Sequence, residues 1–128
     1  MNDGADSIPD GALFARDNVI QWIGPTIALP AEYQQADKVI DARDKVVMPG
    51  LINTHHHFYQ TLTRAMAPNS NLFDWLKKLY PVWARMDGEA IYVSAAIAMA
   101  ELILSGCTTA SDHLYIFPNG AQLDDEIR

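Results

Sequence analysis

Residues 49–60 read Pro-Gly-Leu-Ile-Asn-Thr-His-His-His-Phe-Tyr-Gln, and the interpretation of the rest of the chain depends on them. The Pro-Gly pair is a turn signal, and the apolar-rich run from Leu51 to Thr54 predicts a short strand buried on both faces. Because side chains alternate along an extended segment, we expect His55 and His57 to point to one side and His56 to the other. Two imidazoles on one side of a strand end can reach the same metal ion. Zinc takes three or four ligands, so the pair predicts half of a metal site, and a merely polar strand end is the alternative.

After His57 the hydrophobic period changes from that of a strand to that of a helix. A short helix is predicted over residues 72–79, with Pro81 ending or kinking it, and a long helix over residues 88–104. A second strand, residues 108–111, runs into Asp112-His113. This order predicts one βαβ unit with a parallel sheet. Histidines at the carboxyl ends of its strands are typical of a (β/α)₈ TIM-type barrel, whose chemistry lies at that face.

The preceding residues predict a small β module. Strands are expected at residues 12–15 and 19–23, separated by a polar turn of hairpin length. Two more short extended pieces are expected at residues 38–41 and 45–48. This module contains no candidate catalytic cluster. Its boundary with the barrel is predicted near Met48-Pro49-Gly50, which gives two regions, residues 1–49 and 50–128.

Composition narrows the classes of partner. The chain has 128 residues, 49% of them hydrophobic, and a net charge of −7. This acidic balance argues against nucleic-acid or anionic-membrane binding. The apolar stretch 95–104 is too short to cross a bilayer, and residues 1–6 lack the features of a secretory signal. The single cysteine, Cys107, excludes an intrachain disulfide and favours a cytoplasmic location. A homo-oligomer is compatible with the sequence, which does not fix the oligomeric state.

The stretch that contains the three histidines resembles the first-strand signature of the amidohydrolase superfamily, in its aminohydrolase (deaminase) branch. Three further stretches are similar to the 8-oxoguanine deaminase group, which is close to the hydroxy-s-triazine aminohydrolases: residues 57–64, 72–85 and 105–115. The resemblance implies a (β/α)₈ barrel flanked by a β-sandwich built from both chain ends. A barrel needs roughly 250 residues, so we expect the chain to be the N-terminal part of a longer protein.

The resemblance also implies roles for individual residues. His55 and His57 correspond to metal ligands. The expected ion is Zn²⁺, and iron is the alternative. The family's other ligands and its proton-shuttling Glu lie on later strands, so no catalytic residue is assigned within this segment. Gln60 corresponds to a glutamine that, in the resembled purine deaminases, hydrogen-bonds the edge of the purine base. The alternative is that Gln60 is a surface residue on a helical turn. His113 is open between a substrate contact and a structural hydrogen bond. Trp75 is open between the substrate pocket and the core, and its helical apolar stripe favours the core.

The activity implied is hydrolytic deamination of a cyclic amidine, in which hydroxide attacks the ring carbon that carries an amino group and ammonia leaves. The implied substrate is a small heterocycle, an oxidised purine such as 8-oxoguanine. A hydroxy-s-triazine with an alkylamino group is the alternative. The alternative from another functional class is that the chain is an inactive fragment or interaction module derived from such an enzyme.

Overall fold

The structure is a computed structural model that describes residues 7–128. Residues 1–6, for which the sequence analysis predicts no secretory signal, lie outside the described residues. The chain divides into two units, Met1–Pro49 and Gly50–Arg128, which are described separately below.

The first unit contains a β-hairpin. Strand β1 (Gly11–Arg16) pairs antiparallel with strand β2 (Val19–Pro25). The two connecting residues, Asp17 and Asn18, have φ angles of 52° and 61°. Asp and Asn tolerate this left-handed conformation, which matches the twist of a two-residue hairpin. The predicted hairpin is therefore confirmed.

The two extended pieces predicted at residues 38–41 and 45–48 are wrong as strands, because neither pairs with another segment among the described residues. Between them the Asp41 carboxylate accepts a hydrogen bond from the backbone N–H of Arg43, which closes a tight local turn. Such side-chain-to-backbone bonds compete with strand pairing. The apolar side chains of Val39 and Val46 remain 81% and 86% exposed. Up to Pro49, the described residues form one two-stranded sheet, and the β-sandwich stays a prediction.

The second unit is a βαβ unit, as predicted. Its elements are β3 (Leu51–Asn53), α1 (Leu72–Trp83), α2 (Gly88–Leu104), β4 (Cys107–Ala110) and α3 (Asp124–Ile127). Strands β3 and β4 pair in parallel, with Leu51 opposite Cys107 and Asn53 opposite Ala110. The pairing continues past the strand ends, because the N–H of His113 donates to the carbonyl of His56 at 3.0 Å. The carboxyl ends of both strands therefore meet at one edge, while a closed barrel stays a prediction.

Strand β3 differs from expectation in its burial. Leu51 is 49% exposed and Ile52 is 68% exposed, so the prediction of a strand buried on both faces is wrong for the described residues. The reason is that helices cover the faces of a parallel sheet, and α2 packs mainly against β4 rather than β3.

Local signals fixed the helix ends. Asn71 accepts a hydrogen bond from Asp74 N–H at the start of α1, and Asp87 accepts one from Ala90 N–H at the start of α2. These are the capping interactions that Asn and Asp favour. Gly106, with φ of 87°, follows the end of α2 in the left-handed conformation that glycine adopts most readily. Pro81 lies inside α1, which continues to Trp83.

The core lies between the helices and the segment that follows His57. One buried cluster contains Tyr59, Leu79, Trp83, Met86 and Ile91, with Ala121 beside them. A second joins Phe58 to Ala95 and Ala98 of α2. The core thus fixes the chain immediately after the histidines. Within residues 7–128, no helix has both the length and the apolar character needed to span a membrane.

Candidate metal and substrate site

Three of the four histidines gather at the carboxyl ends of β3 and β4. The ring centres of His55 and His57 are 5.1 Å apart, and His113 lies 5.9 Å from His55 and 5.6 Å from His57. His55 and His57 approach each other as expected for residues two apart in an extended segment. His56 instead packs against Phe58, with ring centres 4.8 Å apart. The structure thus brings His113 to the predicted metal pair.

The orientation of His57 suits metal binding. Its Nδ1 lies 2.9 Å from the backbone carbonyl oxygen of His113. Because a carbonyl can only accept, Nδ1 carries the proton and Nε2 keeps its lone pair. Histidines that bind metals commonly donate their other ring N–H to a carbonyl or carboxylate in this way. His113 thus contacts the site through its backbone carbonyl, and its side chain stays open between a substrate contact and a structural hydrogen bond.

The donor set fits a divalent ion in part. His55 and His57 offer two imidazole nitrogens, which suit zinc and also iron. Within residues 7–128, no group of three or more His, Cys, Asp or Glu side chains could hold a metal ion. The residues present therefore fit the predicted half site, and the assignment of His55 and His57 as ligands stays a prediction.

Gln60 lies in a 3₁₀-helical segment, Phe58–Thr63, that both long helices anchor. The hydroxyl of Ser94, on α2, donates to the carbonyl of Phe58 at 2.7 Å and accepts from the N–H of Leu62 at 3.2 Å. The hydroxyl of Thr63 donates to the carbonyl of Gln60 at 2.9 Å and accepts from Trp83 Nε1 at 3.1 Å. The backbone at Gln60 is therefore fixed by hydrogen bonds that are buried or partly buried.

The side-chain amide of Gln60 is also engaged. Its Nε2 donates to the hydroxyl of Tyr59 at 3.0 Å and to that of Tyr115 at 3.1 Å. Tyr115 stands edge-on to His57, with ring centres 5.3 Å apart. Burial, together with the nearby Tyr115 hydroxyl, raises the pKa of Tyr59, so its phenol stays protonated. Sequence reasoning missed both tyrosines as site residues.

A cleft of about 360 Å³ opens beside these groups and is lined by residues that include His55, His57, Gln60, Arg64 and Trp75. Trp75 belongs to both the cleft and the core. It lines the cleft, and its ring centre lies 5.3 Å from that of Trp83 in the core. His113 is not among the lining residues. Arg64 forms a two-pronged ion pair with Glu101 of α2.

A pair of carboxyl groups lies behind the histidines. Asp112 accepts a hydrogen bond from the N–H of Phe58 at 2.6 Å, next to His57 in the chain. Burial, together with the neighbouring Asp112 carboxyl group, raises the pKa of Glu126. Glu126 is 4% exposed. The carboxylate of Asp112 helps to hold the backbone that follows His57.

Comparison with known proteins identifies the family to which this sequence is similar. Residues 46–123 match the family model described as "Amidohydrolase family". An 8-oxoguanine deaminase from Pseudomonas aeruginosa is 63% identical over 84 residues, which cover 64% of this chain and 19% of that protein. A hydroxydechloroatrazine ethylaminohydrolase from Pseudomonas sp. strain ADP is 42% identical over 123 residues, covering 88% of this chain and 26% of that protein.

A third relative, a 5-methylthioadenosine/S-adenosylhomocysteine deaminase from Moorella thermoacetica, is 42% identical over 106 residues. These residues cover 82% of this chain and 24% of that protein. The chain therefore spans between 19% and 26% of the length of these three curated relatives.

Proposed function

Because the chain belongs to the amidohydrolase family, we propose that the protein containing it is a metal-dependent hydrolytic deaminase. The observation that carries the proposal is the pair of imidazoles at the end of β3. His57 Nδ1 is held by the His113 carbonyl at 2.9 Å, which leaves Nε2 free to bind a metal. The three relatives described above are all named as deaminases or aminohydrolases, which supports the same class of reaction.

The net reaction adds water to a ring carbon that carries an amino group and releases ammonia. A divalent ion held in part by His55 and His57 would lower the pKa of water to about 7 and so supply hydroxide at neutral pH. We propose Zn²⁺ as that ion, with iron as the alternative, because imidazole suits both. The residues of this chain contribute binding and orientation, and the resemblance assigns the proton transfers to a Glu on a later strand of the family's barrel.

For the substrate we propose an oxidised purine, 8-oxoguanine. The support is the 63% identity to the Pseudomonas aeruginosa enzyme, together with the position of Gln60 on the cleft beside the metal pair. Trp75 lines the same cleft and would contact a flat ring. The alternative is a hydroxy-s-triazine, supported by the 42% identity to the ethylaminohydrolase over 88% of this chain.

The proposal extends to location, partners and assembly. A cytoplasmic location is consistent with the single cysteine, and the net charge of −7 argues against a nucleic-acid partner. A homo-oligomer is compatible with the proposal. The rival proposal, an inactive module derived from such an enzyme, predicts no turnover of any heterocycle.

The test is a steady-state assay of ammonia release by the complete, metal-loaded protein. The substrates are 8-oxoguanine, guanine, a hydroxy-s-triazine, adenine and 5-methylthioadenosine. We expect 8-oxoguanine to give the highest kcat/KM. A higher value for the triazine favours the alternative substrate, and release of ammonia from none of the five supports the inactive module.

A further inference from the structure

We propose that Tyr115 is a positioning residue that decides which end of the Gln60 amide faces the substrate. The inference rests on the proposed function, because it concerns how the same cleft distinguishes one heterocycle from another. Its basis is the cluster formed by Gln60, Tyr59 and Tyr115 next to His57.

The first step is the hydrogen bonding of the amide nitrogen. Gln60 Nε2 has two N–H groups, and the hydroxyls of Tyr59 and Tyr115 accept one each, at 3.0 and 3.1 Å. Both donors of Gln60 are therefore used inside the protein. Within residues 7–128, no group donates to Gln60 Oε1, so the carbonyl end of the amide remains free to accept a hydrogen bond.

The second step concerns what holds the two hydroxyls. Tyr59 is fully buried and packs edge-on against Trp83, with ring centres 5.2 Å apart. Tyr115 is 43% exposed and comes from the segment after β4, more than fifty residues along the chain from Gln60. Tyr115 also stands against His57 and Tyr59, with ring centres 5.3 Å away in each case. It thus links the metal pair to the amide that lines the cleft.

The third step is the chemistry that this orientation selects. A carboxamide presented through its oxygen binds a ring N–H and repels a ring nitrogen that carries a lone pair. Oxidised guanines, and hydroxy-s-triazines in their keto form, carry such an N–H beside the reacting carbon. Neutral adenine has an unprotonated ring nitrogen at that place. Tyr115 therefore favours lactam-type heterocycles over adenine by keeping Gln60 from turning its nitrogen toward the cleft.

The test compares Tyr115→Phe with a matched control, Tyr80→Phe, in the complete metal-loaded protein. Tyr80 is similarly exposed, at 45%, and lies outside the cluster. We expect Tyr115→Phe to lower the ratio of kcat/KM for 8-oxoguanine to that for adenine by about 5- to 10-fold, the effect of one hydrogen bond. Metal content should stay unchanged, and Tyr80→Phe should leave the ratio unchanged. In a Gln60→Ala background, Tyr115→Phe should have no further effect on the ratio.

A second measurement does not depend on activity. In protein labelled with ¹⁵N at glutamine side chains, we expect the amide protons of Gln60 to exchange slowly with solvent, and one of them to shift and exchange faster in Tyr115→Phe. Amide signals that are the same in both proteins, or an unchanged substrate ratio in an active enzyme, would overturn the inference. If the wild-type protein deaminates none of the heterocycles, the proposed function fails, and the amide signals still decide whether Tyr115 positions Gln60.

Discussion

At the scale of single residues, we expect metal binding to depend on the two outer histidines of the strand end and not on the one between them. The ring centres of His55 and His57 are 5.1 Å apart, whereas the ring of His56 packs against Phe58. We expect His55→Ala or His57→Ala in the complete protein to lower metal content and to remove deaminase activity. His56→Ala is the internal control and should keep most of the metal. Metal analysis by mass spectrometry, paired with the ammonia assay, measures both effects.

An unchanged metal stoichiometry in the double variant His55→Ala, His57→Ala would show that these residues are not ligands. Equal loss of metal in all three single variants would show that the defect lies in folding rather than in ligation, because His56 has no place in the predicted ligand set.

The residues of this site differ in how far sequence could predict them. The placement of His55 and His57 follows from the two-residue period of an extended segment, which is local information. Gln60 was assigned to the site from the resemblance and from its closeness to His57 in the chain, because it lies beyond the extended segment. The Tyr115 hydroxyl could not, because its contact with Gln60 depends on the pairing of β4 with β3. Ser94 was missed because a serine within an Ala-rich helix carries no local signal for its two hydrogen bonds.

At the scale of elements, the packing of α2 against the segment that carries Gln60 depends on Ser94. This residue is fully buried, and its hydroxyl makes one hydrogen bond to Phe58 and one to Leu62. Removing the hydroxyl leaves a buried carbonyl and a buried N–H without that partner, which costs about 1–3 kcal/mol. We expect Ser94→Ala to lower the free energy of unfolding of the complete protein by that amount, measured in urea.

Ser105→Ala is a matched control on the same helix. The Ser105 hydroxyl makes a hydrogen bond to Leu102 on the exposed surface, so its loss should cost less than that of Ser94. The two variants therefore separate the anchoring of the segment from a general effect of losing a serine. Equal losses of stability in both would contradict the role given to Ser94.

Elements were predictable where a local signal marks their ends. Asn71, Asp87 and Gly106 mark helix boundaries through side-chain capping and backbone freedom, and the hairpin turn at Asp17-Asn18 has the same local character. The pieces at residues 38–41 and 45–48 failed because an apolar run becomes a strand only when a partner pairs with it. Pro81 was expected to end or kink α1, but it lies within the last turn, and the helix continues to Trp83.

At the scale of the whole molecule, the second unit leaves much apolar surface uncovered. Ile52 on β3 is 68% exposed, and Ile103 and Leu104 at the end of α2 are 70% and 88% exposed. Its sheet has two strands, and each has an unpaired edge. Exposed apolar patches and unpaired edges are typical of surfaces that pack against other chain segments or aggregate. The barrel predicted from the resemblance would cover both.

We therefore expect residues 1–128, produced alone, to lack a cooperative thermal unfolding transition and to associate in solution. Calorimetry and light scattering measure the two properties, and the complete protein serves as the comparison. Substituting Ile103 and Leu104 with Ser should reduce the association of residues 1–128, because both side chains are exposed at the end of one helix. A monomeric fragment with a sharp unfolding transition would show that the βαβ unit is stable without further strands, and that the apolar side chains of β3 and α2 need no covering partner.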